Sequence, residues 1–153
     1  ASVHNGPVLD DEEPAGKGPR FLWRDWPTSR ILEAGVRFGG VLVVGEVPGR
    51  VRREVQICGG GVLVTDTVLV PRVRVAQVTW LLHPNAADAD SVHADGASVV
   101  SPLDDAVYAW FSPTYLERVP TRSIRLRRER VRGESLCIRT SIVWPSGRIA
   151  DFG

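Results

Sequence analysis

The chain lacks the sequence signals of several large protein classes. It contains no methionine, two cysteines and three histidines among 153 residues. No apolar run approaches the ~18 residues of a membrane-spanning helix, so we expect no membrane partner. Basic and acidic residues balance to a formal net charge of +1, which argues against a nucleic-acid binder driven by bulk charge. The absence of methionine from a Val- and Arg-rich chain indicates an excerpt from a longer protein.

The two cysteines are too few and too isolated for a metal site of their own. Cys58 and Cys137 lie in apolar, strand-like segments, and no C-x-x-C pair occurs. One disulfide is possible, and two buried free thiols are an equally good interpretation.

Short alternating segments predict β-strands along most of the chain. In RVRREVQI, Val51, Val55 and Ile57 share one face, and Arg53 interrupts that face and requires a partner. SLCIRTSIVW alternates in the same way. In RVRVAQVTWLLHP the apolar phase changes near Ala76, which indicates either a β-bulge or a strand buried on both faces.

These segments together predict an all-β fold. Roughly ten short strands, spaced about 8–12 residues apart, are typical of an antiparallel β-sandwich, here a single domain over residues 1–153 with two stacked sheets. PTSRILEAGVRF is the best helix candidate, but Gly35 and its β-branched residues weaken it. HPNAADADSVHADGAS predicts a solvated loop containing His93, a turn at Asp95-Gly96 and a hairpin return through Val99 and Val100.

Two groups of arginines have structural and functional interpretations. Arg52 and Arg53 precede a strand containing Asp66, so one of them could pair with that carboxylate across strands. Alternatively, both bind the carboxylates or sulfates of an acidic sugar chain. RSIRLRRERVRG predicts either an edge strand protected by charge or a patch for an anionic polysaccharide or an acidic partner domain. Nucleic acid is not expected there, because no aromatic residues alternate with the arginines.

The order of the segments resembles the C-terminal β-sandwich domain of the heparinase II/III-like polysaccharide lyases. The segments are VHN, LDDEEP, FLW, RVRREV, GVLVTDTV, VTWLLHP and SLCIRTSIVWPSG, and they cover the chain from Val3 to about Gly147. In place of the β-forming residue usual after the His-Asn pair, this chain has Gly6-Pro7.

The resemblance implies a function for the chain as part of a longer enzyme. Family members join a helical toroid to the sandwich and cleave uronic-acid-containing polysaccharides by β-elimination, with catalytic Tyr and His residues located before the His-Asn pair. The resemblance therefore places no catalytic residue here, and the chain is expected to be inactive without the missing N-terminal helical domain. It also implies a periplasmic or extracellular location.

The same resemblance suggests site residues. His4 matches a ligand of a structural zinc, whose other ligands lie upstream in the family; by itself, His4 is simply a residue near the terminus. If the domain faces the cleft, Trp23 and Trp26, with the acidic residues before them, line it and stack on sugar rings; the alternative is that both tryptophans are core residues, which is more common in all-β domains. Arg52 and Arg53 are the candidate cations for the substrate. The alternative function is a free-standing β-sandwich module that binds carbohydrate or protein without catalysis.

Overall fold

The computed structural model describes residues 6–12, 16–17, 23–24, 27–37, 39–82, 92–95, 98–100, 109–111, 117, 119–121 and 123–143. This part of the chain consists of strands, turns and bends and contains no helix. Accordingly, these residues include no helix that is long and apolar enough to cross a membrane. The predicted all-β class is confirmed.

The larger sheet has six antiparallel strands. They are Arg30–Arg37 (β4), Gly40–Val47 (β5), Val51–Cys58 (β6), Gly61–Val68 (β7), Val92–Asp95 (β9) and Cys137–Val143 (β14). Their spatial order is β4-β5-β6-β7-β14-β9, so the first four strands form consecutive hairpins. Gly49 adopts a φ of 69° in the turn between β5 and β6, a conformation that glycine tolerates and most residues do not.

The smaller sheet has four antiparallel strands, and four short strands form two separate ribbons. The sheet consists of Pro7–Leu9 (β1), Val75–Leu81 (β8), Ser98–Val100 (β10) and Ser123–Glu129 (β13), in the order β1-β8-β13-β10. The ribbons pair Gly16–Lys17 (β2) with Trp23–Arg24 (β3), and Ala109–Phe111 (β11) with Val119–Thr121 (β12).

The hydrophobic core lies between the two main sheets. Val78 and Leu126 from the smaller sheet and Ile138 from the larger one are completely buried. The same cluster includes residues of β1, β6, β7 and β9, so both sheets contribute to one core. Burial of each such aliphatic side chain stabilises the fold by about 1.5–3 kcal/mol, which makes this contact the main stabilising interaction of the sandwich.

Two local predictions concern the alternation along single strands. In PTSRILEAGVRF, the best helix candidate, Arg30–Arg37 form strand β4, so the helix alternative is wrong. The ladder between β4 and β5 contains an irregularity between Ile31 and Glu33. For RVRVAQVTWLLHP, the strand buried on both faces is the correct alternative. Its pairing with β13 is continuous along all of β8, and the adjacent residues Val78 and Thr79 are both buried.

The predicted hairpin around Asp95-Gly96 is wrong. Residues Val92–Asp95 form β9, which pairs with β14 in the larger sheet, whereas Ser98–Val100 form β10, which pairs with β13 in the smaller sheet. The two strands therefore lie in different sheets. His93 lies on a strand, not in a loop, although its side chain is exposed as expected.

Candidate functional site

Arg53 and Asp66 form an ion pair on the inner face of the larger sheet. They are direct neighbours in the ladder between β6 and β7. Arg53 Nε and Nη2 donate to the two carboxylate oxygens of Asp66 at 2.7 and 2.8 Å, and the two side chains are 27% and 2% exposed. The prediction that one of the two adjacent arginines pairs with Asp66 is confirmed.

This ion pair belongs to a polar chain that connects the two sheets. The Arg53 guanidinium carbon lies 5.4 Å from the centroid of the Trp80 ring, a distance typical of a cation–π contact. Trp80 Nε1 donates a hydrogen bond of 3.2 Å to Thr140 Oγ1, and Thr140 is completely buried. Because Trp80 lies on β8 and Thr140 on β14, the bond joins the smaller sheet to the larger one.

Arg52 points to the opposite face of the sheet and has a different partner. Its guanidinium donates to Glu46 Oε2 at 3.0 Å, and Arg30 donates to the other carboxylate oxygen at 3.0 Å. The hydrogen bonds from Arg52 and then Arg30 lower the pKa of Glu46 below its ordinary value. Because Arg52 and Arg53 lie on opposite faces, they do not form one binding surface. Substrate binding by either residue stays a prediction.

An apolar cleft opens beside the Arg53–Asp66 pair. It lies between the inner face of β5–β6 and strand β1 and has a volume of about 340 Å³. Most of its described wall is aliphatic, and five polar residues also line it: Glu12, Ser29, Glu46, Arg50 and Arg53. The apolar lining residues are Pro7, Leu9, Pro27, Val43, Val47, Val51 and Val55. This lining favours apolar side chains over a sugar chain, which requires many polar contacts.

The acidic turn after β1 has a structural role that sequence reasoning missed. Asp10 and Asp11 both have positive φ, at 49° and 60°. Asp10 Oδ1 accepts hydrogen bonds from the backbone N–H groups of Arg74 and Val75 at 2.9 and 2.8 Å, which attaches the turn to the start of β8. The sequence signal that could have predicted this turn is the Asp10-Asp11 pair, since aspartate tolerates this backbone conformation and bonds to nearby backbone groups. Glu12, in the same turn, lines the apolar cleft.

The arginine-rich segment is not an edge strand. Its strand, β13, lies between β8 and β10 and is therefore internal to the smaller sheet. Arg130 donates to the carbonyls of Val73 and Val70 at 2.6 and 2.9 Å. Arg128 donates to the carbonyl of Cys137 at 2.8 Å. These two arginines stabilise backbone groups at the end of the sandwich.

A second, polar cavity lies at this end of the molecule. It has a volume of about 470 Å³, and Arg128, Arg139, Asp95 and Glu134 contribute its charged groups. The ion pairs here are long, with 3.9 Å between Arg139 and Asp95 and 3.6 Å between Arg128 and Glu134. Such exposed pairs contribute little to stability and exchange readily with other ions.

Two predicted site residues lie outside the described part of the chain. These are His4 and Trp26. The backbone of Trp23 pairs with Lys17 in the β2–β3 ribbon. Within the described residues, no three His, Cys, Asp or Glu side chains are grouped closely enough to hold a metal ion.

The two cysteines do not form a disulfide. Both are free thiols; Cys58 is exposed and Cys137 is partly buried. Of the two interpretations, free thiols are therefore correct. The expected burial is wrong for Cys58, whose side chain is exposed.

Comparison with known proteins identifies the fold. No protein-family model and no curated protein matches the chain. A mutant of heparan sulfate lyase HepC from Pedobacter heparinus is similar over 94% of this chain, with a TM-score of 0.65 and 11% identity. A heparinase III gene product is similar over 93% of this chain, with a TM-score of 0.65 and 15% identity.

The similarity covers only a small part of those proteins. This chain spans 24% of the length of each of the two. A second HepC structure from the same organism is similar with a TM-score of 0.61 and 12% identity, over 96% of this chain and 25% of that one. The predicted resemblance to heparinase II/III-like lyases is confirmed at the level of the fold, and the chain corresponds to about a quarter of such a protein.

Proposed function

We propose that this chain is the β-sandwich part of a longer polysaccharide lyase that cleaves uronic-acid-containing polysaccharide by β-elimination. The observation that carries the proposal is the match of nearly the whole chain to heparan sulfate lyase HepC. The longer protein would contribute the helical domain expected from the sequence resemblance, and an acidic polysaccharide such as heparan sulfate would be its substrate.

The chemistry of β-elimination divides the work between the two parts. One group must neutralise the uronate carboxylate, a base must remove the proton next to it, and an acid must protonate the leaving oxygen. Tyrosine and histidine perform the last two roles when their pKa values are shifted towards neutrality. Neither residue type occurs among the described residues that line the apolar cleft, and Arg53 there is bound to Asp66. We therefore assign the base and the acid to the rest of the longer protein.

Contacts with the anionic sugar would come from aromatic and cationic side chains of this chain. Trp23 and Trp26 would stack on sugar rings, and Arg52, which is 44% exposed, would bind a carboxylate or sulfate. Arg53 lies on the opposite face and would contact the sugar only by exchanging Asp66 for a sugar anion. Arg139 in the polar cavity is a further cation, since its 3.9 Å contact with Asp95 is easily exchanged for a sulfate or carboxylate. None of these contacts alone would provide catalysis.

Zinc is a separate part of the proposal. The described residues do not fit a zinc site, because they contain no group of three suitable ligands. By the sequence resemblance, His4 would contribute one ligand of a structural zinc, and the longer protein would contribute the others. Metal analysis of the longer protein tests this role, because His4→Ala should reduce its zinc content. An unchanged zinc content would remove His4 from the site.

The proposed activity is tested by digestion of heparan sulfate with the longer protein. Ultraviolet absorbance detects the double bond that β-elimination creates in the product. We expect this absorbance to rise with heparan sulfate and to stay constant with dextran, which contains no uronic acid. No rise with heparan sulfate or other uronate polymers would contradict the proposal.

A free-standing binding module is the second candidate. The apolar cleft favours the protein-binding form of this module, because its described lining is mostly apolar; the carbohydrate-binding form is tested by titration. Calorimetric titration of the 153-residue chain with heparan sulfate oligosaccharides separates the two candidates. Saturable binding by this chain, together with an inactive longer protein, would favour the module.

A further inference from the structure

Strand β4 lies at the edge of the larger sheet. It pairs with β5 on one side, and no other described strand pairs with its opposite side. Every residue of β4 except Glu33 is exposed. Ile31 and Val36 are 72% and 81% exposed, which is unusual for aliphatic side chains on a strand. The unpaired backbone groups of such an edge are a template on which another strand can pair.

Two opposite charges flank a glycine on one face of this strand. The ladder between β4 and β5 is regular from Glu33 to Arg37, so Glu33, Gly35 and Arg37 point to the same face. Arg37 Nη2 lies 2.7 Å from Glu33 Oε1, so the two side chains reach along the strand towards each other. A side chain at Gly35 would meet no other atom within 4 Å. The charge order along this face is therefore negative, neutral, positive, with Gly35 at its centre.

This charge order is complementary to itself when two β4 strands run antiparallel. If Gly35 lies opposite the partner's Gly35, then Glu33 lies opposite the partner's Arg37, and Arg37 lies opposite the partner's Glu33. Opposite charges at directly opposed positions stabilise a sheet, whereas like charges destabilise it. The two ion pairs are related by two-fold symmetry, as in the closed dimers that most homo-oligomers form.

Registers centred on other residues lose these ion pairs. A register centred on Glu33 places two carboxylates opposite each other, and a register centred on Arg37 does the same with two guanidinium groups. Registers centred on Ala34 or Val36 place Gly35 opposite one of the two charges. The charge pattern therefore selects the register centred on Gly35.

We propose that β4 pairs with β4 of a second copy of this chain, antiparallel and centred on Gly35, so that two larger sheets join into one continuous sheet. Charge complementarity identifies the second copy as the occupant, because the sequence of charges around Gly35 matches its own reverse. Val36 and the partner's Ala34 become neighbours on the other face, which reduces the exposure of Val36. The inference concerns assembly and does not depend on the proposed activity.

Exchange of charges between two variants tests the pairing. Analytical ultracentrifugation of the 153-residue chain should show a monomer–dimer equilibrium. Glu33→Arg places like charges opposite each other across the dimer, and so does Arg37→Glu. Each variant alone should dimerise with a Kd at least about tenfold higher, since two attractive pairs become two repulsive ones. An equimolar mixture of the two variants should recover dimers, because every arginine then lies opposite a glutamate.

A charge reversal elsewhere is the control for this experiment. Glu134 is an exposed glutamate between β13 and β14, so Glu134→Arg should leave the Kd of the dimer unchanged. A parent chain that remains monomeric up to about 1 mM would overturn the inference, since weaker association carries little specificity. A dimer that neither charge variant weakens, or a mixture that stays monomeric, would overturn it as well.

Disulfide trapping tests the register itself. In a Cys58→Ser, Cys137→Ser background, Gly35→Cys places the two thiols of the dimer at directly opposed positions, with about 4.5–5.5 Å between the Cα atoms, a separation that suits a disulfide. Val36→Cys is the control within the same strand, because Val36 lies opposite the partner's Ala34 and not opposite itself. Under mild oxidation, Gly35→Cys should form covalent dimers about tenfold faster than Val36→Cys. Equal rates would overturn the register.

The longer protein distinguishes a second copy from another segment as the occupant. Gly35→Cys should form the same covalent dimer there, whether or not that protein degrades heparan sulfate. Cross-linking of the 153-residue chain but not of the longer protein would assign the edge of β4 to another segment and overturn the inference. Cross-linking of both, without any unsaturated product, would leave the dimer correct and contradict only the proposed function.

Discussion

Asp66 accepts two hydrogen bonds from Arg53 directly across the β6–β7 ladder, so a nearly buried carboxylate and a half-buried guanidinium neutralise each other at the edge of the core. The pair occupies positions that the alternation of both strands assigns to the inner face. Its geometry explains how a strand of otherwise apolar inner residues accommodates an arginine.

Removal of one member of this pair should destabilise the fold strongly. Asp66→Ala leaves Arg53 without its carboxylate in the interior, so we expect a loss of about 3–5 kcal/mol in the free energy of unfolding, measured with urea. The double variant Arg53→Met, Asp66→Leu should recover most of this loss, since it removes both charges.

The neighbouring residue supplies the control for that experiment. Arg52→Ala breaks a pair on the opposite, more exposed face, where Arg30 still contacts Glu46. We expect it to cost less than about 1 kcal/mol. An Asp66→Ala effect no larger than that of Arg52→Ala would contradict the importance of the buried pair.

The Trp80–Thr140 hydrogen bond should contribute measurably to the contact between sheets. Trp80→Phe removes the donor and leaves the buried Thr140 hydroxyl without it, so we expect a loss of about 1–3 kcal/mol beyond any packing change. Adding Thr140→Val should recover part of that loss, because both polar groups are then absent. A double-mutant cycle in urea that finds no coupling between the two positions would refute this account.

Glu46 makes stability depend on pH in the acidic range. Its folded pKa is lower than the ordinary value of 4.5, so its stabilisation is complete above that pH and is lost as the pH falls through the lower folded pKa. We expect Glu46→Gln to be less stable than the parent near neutral pH and the difference to shrink in acid. Thermal unfolding across this pH range measures it, and a constant difference between the two proteins would be inconsistent with the lowered pKa.

The role of Asp10 is separable from any role in substrate binding. Asp10→Ala removes the acceptor of two backbone N–H groups and places alanine at positive φ, so we expect a loss of about 1–3 kcal/mol. Asp10→Asn keeps a side-chain oxygen and tolerates the same φ, and it should retain most of the stability. Equal effects of Asn and Ala in urea unfolding would show that the hydrogen bonds are not the cause.

Alternation within single segments predicted the strands and the unusual position of Arg53 correctly. The sequence predicted a pair between Asp66 and one of the two adjacent arginines, but it did not predict the pair between Arg52 and Glu46. Asp66 follows on the next strand of a hairpin, whereas Glu46 contacts Arg52 because β5 and β6 are also paired in that register. The arginines of β13 suggested an edge strand protected by charge. Both edges of β13 are paired, however, so the strand is internal to its sheet. Charge pattern alone does not show whether the edges of a strand are paired.

Long-range assignment of strands to sheets was beyond local sequence signals. The Asp95-Gly96 dipeptide is typical of a hairpin, yet β9 and β10 enter different sheets, because each pairs with a strand more than twenty residues away.

The central claim is that this chain is one part of a lyase whose reacting groups lie elsewhere. The most direct test is incubation of the purified 153-residue chain with heparan sulfate while ultraviolet absorbance is followed. We predict no formation of unsaturated uronate, at any pH at which the chain remains folded. A steady rise in absorbance that scales with the concentration of the chain would contradict the claim.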